Sequence, residues 1–210
     1  MQDLSTEQLA SIRAWLGAGS INIFGKQFAG KDTQCRRLAE LFDGVVIGGG
    51  DILRSDTTPQ HILDIIASGE LSPTHEYRAI VTPYFARPEF RNKPLLLSSV
   101  GRMHGEEQPI LEAAQQSGHA MRAVIALDVS DSEVWRRYDL AKSGSSRGAR
   151  ADDDVAGLTR RLARYHDHTL PVLATYDELG LLIHVNGEQS ASNVTREILE
   201  KLYQKCVHLK

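Results

Sequence analysis

At 210 residues, with 41% hydrophobic and 24% charged residues and only 7 prolines, the chain has the size and core material of one ordinary globular domain and too little bias for disorder. Its 24 Lys and Arg against 27 Asp and Glu leave a net charge of −3, which argues against nucleic acid as a main partner but not against a local arginine cluster around a small phosphate ligand. Cys35 and Cys206 stand too far apart for a zinc pair or a disulfide framework, and neither a signal peptide nor a membrane span is legible, so a cytoplasmic location is expected. In chain order, Ser5 followed by Glu7 and Gln8 reads as the cap of a helix whose apolar face is Leu9, Ile12, Trp15 and Leu16, with Gly17 and Gly19 ending it. SINIF, from Ser20, is the first core strand, and a glycine loop leads from it into the helix TQCRRLAELF. GVVIGG is a second strand. Two short helices and a third, PTHEYRAIVTPYF, come next, before the strand KPLLLSSV and the helix EEQPILEAAQQSG. RAVIALDVS is the fourth strand, DSEVWRRYDLA a helix, and KSGSSRGARADD a loop. A long helix from Val155 is expected to break at Pro171, ahead of the strand LLIHVNG and a closing helix NVTREILEKLYQKC.

Five short apolar strands alternating with helices predict a parallel sheet covered on both faces, an α/β fold in which ligands bind at the carboxyl ends of the strands. Gly25, Gly48 to Gly50, Ser98 to Arg102 and Asp128 all fall at such ends. In FGKQFAGKDTQC, residues 24 to 35, Gly25, Gly30 and Lys31 have the spacing of a phosphate-binding loop, with Asp32 where the general pattern has Ser or Thr. Glycines let backbone N–H groups turn inward, the helix start adds partial positive charge, and Lys31 reaches the terminal phosphates. Read alone, the same residues also suit a left-handed turn with an exposed lysine.

GKDTQC resembles the GKGTQ of adenylate kinases and their nucleoside-monophosphate kinase relatives, with Asp32 in the family's glycine position and Thr33 in its threonine position. Three more signatures follow in family order. GDILR, residues 50 to 54, is similar to TGDxLR, GELSP at 69 to 73 to the hinge GxLVP, and RADD at 150 to 153, with Arg161 and the stretch to Tyr176 beyond it, to the segment after the lid. The resemblance covers residues 20 to 205. It implies a three-layer P-loop NTPase fold in one domain, with an acceptor-binding helical insertion near 51–85, a short lid near 139–152 without a structural zinc, and an extra N-terminal helix near 3–17.

The activity so implied is Mg2+-dependent transfer of the γ-phosphoryl group of ATP to a nucleoside monophosphate, AMP in the first place, by a monomer. Lys31, Arg102, Arg150 and Arg161 would be catalytic, because joining two polyanions leaves positioning and charge neutralisation as the main task. Gly25, Phe28, Ala29, Gly30, Lys31, Asp32, Thr33, Arg137 and Gln189 would line the ATP site. Gly49, Gly50, Arg54, Ser72, Arg102, Glu106, Arg150 and Arg161 would line the acceptor site. Three departures stand out. The family's DGFPR is SSVGR here, so its magnesium-holding aspartate is Ser98, with Thr33 and either Asp32 or Asp128 acting through water as replacements. The threonine of TGD is Gly49 and the base-reading glutamine is Glu106, which opens bases other than adenine, since a carboxylate accepts hydrogen bonds without donating. The lid arginine near Ala141 has only Lys142 or Arg147 as stand-ins. Alternatives are a nucleotide-binding protein with degenerate catalysis and a P-loop kinase for another small acceptor. His166 and His168 share no helix face and read as structural.

Overall fold

The computed structural model describes residues 4–56, 58–60, 74–143 and 154–208. Five strands, β1 (Ser20–Gly25), β2 (Val45–Gly48), β3 (Leu95–Ser98), β4 (Met121–Asp128) and β5 (Leu182–Asn186), form one sheet in the order β2-β3-β1-β4-β5. Every pairing is parallel. Around it lie α1 (Thr6–Leu16), α2 (Lys31–Phe42), α3 (Gly49–Leu53), α4 (Thr74–Phe85), α5 (Glu107–Gln116), α6 (Asp131–Ser143), α7 (Val155–Arg164), α8 (Leu170–Glu178) and α9 (Ala191–His208). This is the expected three-layer P-loop NTPase fold. Of the insertion expected near 51–85, the described residues hold the end of α3 and all of α4, with residues 57 and 61–73 outside the described residues. Of the lid expected near 139–152, residues 139–143 continue α6 and the remainder lies outside the described residues.

The strands are short and apolar because both faces are covered, so alternate residues feed opposite cores. Ile21, Ile23, Leu96, Ile125 and Leu127 pack with Leu38 of α2 and Ile198 and Leu202 of α9. Leu95, Leu97 and Val100 face Ile80, Phe85 and Ile110, while Phe24, Val124 and Ala126 face Val172 and Tyr176. The capping box of α1 forms, Gln8 N–H donating to Ser5 Oγ at 3.2 Å and Ser5 N–H to Gln8 Oε1 at 2.8 Å. Gly17, at φ +52°, closes the helix. Ile12 and Leu16 are buried, and Arg13 Nη2 donates to Leu41 O at 2.6 Å, so α1 is fixed to the main layer.

The long helix breaks earlier than expected. Tyr165–Thr169 is a single π turn, in which Leu170 N–H reaches Tyr165 O, and α8 then starts afresh with Pro171 in its first turn. Pro171 lacks an N–H and its ring crowds the carbonyl one turn back, so the preceding turn widens rather than the proline residue itself breaking. No helix among the described residues is long and apolar enough to cross a membrane.

Candidate active site

β1 is flanked by β3 on one side and β4 on the other, and the chain adds strands on both sides of it, so a crevice opens at its carboxyl end. There the chain turns at Gly25, where a Cβ would stand 3.0 Å from Ala29 Cβ and 3.2 Å from Leu127 Cβ. Phe28 (φ +61°) and Gly30 (φ +95°) reverse the backbone so that α2 begins at Lys31, two residues earlier than its apolar spacing suggested. Ala29 is buried beneath the loop. Lys31 Nζ donates to Gly25 O and Lys26 O, both at 2.8 Å, so the loop closes around its own ammonium. Burial pushes that ammonium's pKa down to about 8, with Arg102 and Arg161 adding to the effect and Asp32 opposing it. Three cations from α2, the loop after β3 and α7 thus share one field.

Asp32 is exposed on the first turn of α2 and accepts a 2.7 Å hydrogen bond from Ser98 Oγ at the end of β3. Thr33 is the next residue of that turn. Behind it Gln34 is buried and structural, bonded to Thr195 Oγ1 at 2.7 Å and to Ala191 O at 2.9 Å. Arg137 ties α6 to the loops after β1 and β5. Its Nη1 donates to Phe28 O at 3.1 Å, its Nη2 to Gly187 O at 2.7 Å and its Nε to Glu133 at 2.7 Å. The Phe28 ring meets Tyr138 edge-on, centroids 5.9 Å apart.

The loop after β3 is held from beneath. Asn22, buried in β1, donates to Val100 O at 2.7 Å and accepts from Val100 N–H at 3.3 Å. Ser99 (φ +50°) bonds Ile23 O through its N–H at 3.0 Å, and Thr169 of the π turn donates to Arg102 O at 3.3 Å. The loop ends at Glu106, only 6% exposed, whose Oε2 accepts Met103 N–H at 3.0 Å. Burial raises the Glu106 carboxyl to about 7, against the pull of the Met103 N–H and the Arg102 charge. On the β2 side, Gly48 N–H bonds Asp51 at 2.8 Å, and the exposed Arg54 lies so close over Gly50 that a Cβ there would stand 2.5 Å from Arg54 Nη2. Gly49 lies against the same loop, its Cβ position 3.2 Å from Ser99 O.

The remaining candidates are engaged elsewhere or lie outside the described residues. Asp128 accepts from His184 Nδ1 at 2.9 Å, Gln189 Nε2 donates to Glu197 at 2.5 Å, and the Lys142 ammonium lies 5.3 Å from the centre of the Tyr138 ring. Ser72, Arg147 and Arg150 lie outside the described residues.

A family model described as an AAA domain matches residues 28–158. The chain is 30% identical over 181 residues to an adenylate kinase of Parvibaculum lavamentivorans, covering 84% of this chain and 88% of that one. It is 30% identical to an adenylate kinase of Nitrobacter winogradskyi, over 88% of this chain and 93% of the relative. Adenylate kinase 1 of Nostoc sp. is 32% identical over 83% and 93%. The chain belongs to the adenylate kinase family. Sequence reasoning for this adenylate kinase relative passed over three residues that build the site. Asn22 and Thr169 act through contacts that no local pattern announces. Lys26, at the start of the loop, is bonded to Asp131 at 2.5 Å and lies 6.0 Å from the centre of the Tyr165 ring. A buried asparagine inside an otherwise apolar strand was the one available signal.

Proposed function

We propose that the protein transfers the γ-phosphoryl group of ATP to a nucleoside monophosphate, with AMP as the acceptor, giving two ADP. The observation that carries this reading is the convergence of Lys31, Arg102 and Arg161 in one field at the mouth of a backbone-lined loop, on a chain of the adenylate kinase family. An ammonium lowered to about 8 by burial and bonded to its own loop carbonyls is primed to exchange them for phosphate oxygens, which satisfy it better. Arg102, Arg161 and Arg54 present planar forks to the acceptor phosphate. Because phosphoryl transfer offers little covalent chemistry to assist, this placing of positive charge supplies most of the acceleration. Magnesium bound with ATP would supply further neutralisation of the phosphate charge. The residues fit an ion held through the nucleotide rather than by the protein alone: among the described residues no group of three His, Cys, Asp or Glu converges, and Asp32 offers one open carboxylate oxygen.

Glu106 bears on the base. A carboxyl raised to about 7 is half protonated at neutral pH, and in that form it carries one donor and one acceptor, as glutamine does. That pair complements adenine, whose edge offers a ring acceptor and an amino donor. The ionised form, an acceptor alone, complements guanine. The reading is tested by supplying ADP and magnesium alone. ATP and AMP formed in equal amounts are expected, and ADP left unchanged would reject it.

A further inference from the structure

A carboxylate among phosphate-binding cations is at odds with its surroundings unless a second cation stands between it and the phosphates. Asp32 is such a group. It follows Lys31 directly, opens α2, and weighs on the Lys31 ammonium against Arg102 and Arg161. Nor is it turned away from the site. Ser98 Oγ, at the carboxyl end of the neighbouring strand, donates to Asp32 Oδ1 at 2.7 Å. Ser98 is itself fixed in the sheet, in register with Ile23 of β1 and Gly48 of β2. The strand therefore holds an exposed helix carboxylate by one oxygen, with no hydrogen bond to the other among the described residues. In phosphate-binding loops generally, the side chain after the lysine is the one that faces magnesium. Magnesium keeps several waters and takes one or two carboxylates beside substrate phosphates, which is what one open oxygen on an exposed aspartate offers. Asp128 is not equivalent, being engaged by His184 Nδ1 at 2.9 Å, beyond the end of β4.

Resting on the ATP reading above, we infer that Asp32, oriented by Ser98, is the carboxylate that holds the magnesium of bound Mg·ATP through its water, and that charge and hydroxyl can be exchanged between the two positions. The 2.7 Å contact brings both side-chain tips to the same spot, so a carboxylate at 98 serves the same water once Asp32 is removed.

The test is calorimetric ATP binding with and without Mg2+, on the wild type, Asp32→Asn, Asp32→Gly and the double variant Asp32→Gly/Ser98→Asp. Asp32→Asn keeps an oxygen for Ser98 and so preserves the local structure while removing the charge. The gain in ATP affinity that magnesium brings is expected to fall by about 10-fold to 100-fold in both single variants. Magnesium-free ATP should bind them at least as tightly as the wild type, because the repelling charge is gone. The double variant should recover most of the magnesium gain. An undiminished gain in Asp32→Asn overturns the assignment, and no recovery in the double variant overturns the exchange. A wild type that binds ATP in neither condition would overturn the ATP reading, and this inference with it, whereas a wild type that binds ATP with no magnesium gain overturns the inference alone.

Discussion

The loop after β1 and the loop after β3 leave the sheet side by side, each through a non-glycine residue at positive φ, Phe28 in one and Ser99 in the other. They are held in different ways. The first is closed mainly from within, by Lys31 bonding the carbonyls of Gly25 and Lys26, six and five residues back, with Arg137 adding one bond to Phe28 O. The second is held from outside, by Asn22 beneath Val100 and by Thr169 against Arg102 O, 78 and 67 residues away in the chain. A loop closed by its own residues keeps its shape wherever the motif occurs and opens when a better partner arrives. A loop held by distant groups takes its shape from the whole fold, so its residues are free to vary while its backbone is not.

That contrast can be broken at either end. The largest effect is expected at Lys31: Lys31→Ala should lower transfer by about 10²-fold to 10³-fold or more, with the fold intact, as followed by initial rates and by thermal unfolding. The next is Asn22→Leu, which leaves the buried N–H and C=O of Val100 without partners. It should destabilise the protein by about 2–6 kcal/mol in urea titration, counting about 1–3 kcal/mol for each orphaned group. If the two loops are held independently, ATP affinity stays unchanged while the KM for the acceptor rises. A loss of ATP affinity equal to the loss of acceptor affinity would mean that the loops are one unit.

The smallest effect sharpens the comparison at the base. Glu106→Gln should retain transfer to AMP at pH 6 and remove its decline between pH 6 and 8, because the wild-type carboxyl, at about 7, loses its proton in that window. The linkage to stability has a definite sign. The folded carboxyl binds its proton more tightly than the unfolded one, so its contribution is full below the unfolded value of about 4.5 and is lost as pH rises through about 7. Glu106→Gln should therefore gain stability over the wild type at pH 8 relative to pH 5, and thermal unfolding at the two pH values reads it out. Equal pH profiles in both proteins would remove Glu106 from the base-reading role.

How far the sequence could be read follows from the same distinction. The sheet was legible because strands buried on both faces are simply apolar, and the loop after β1 because Gly25, Gly30 and Lys31 do their work within a few residues of one another. The α1 cap was legible for the same local reason, Ser5 and Gln8 being three apart. Where distant groups decide the outcome, the sequence was silent. Asn22 reads as a polar flaw in SINIF until Val100 is folded over it. The break in the long helix was expected at Pro171, but the strain is relieved one turn earlier, at Tyr165–Thr169, where Thr169 is also needed by Arg102 O. Asp32 was one of two candidates to replace the aspartate lost at Ser98, with nothing in the sequence to say that the two side chains meet. At 2.7 Å they are one contact, made by residues 66 apart.

The central claim is that one crevice joins a donor and an acceptor nucleotide for phosphoryl transfer, and the most direct measurement is ADP formation from Mg·ATP with AMP, GMP, CMP, UMP and dAMP in turn, beside a Lys31→Ala control. Rapid transfer to AMP, strongest below pH 7 and abolished in the control, is the expected result. ATP turnover that does not depend on any acceptor, or transfer that survives the loss of Lys31, would contradict the account.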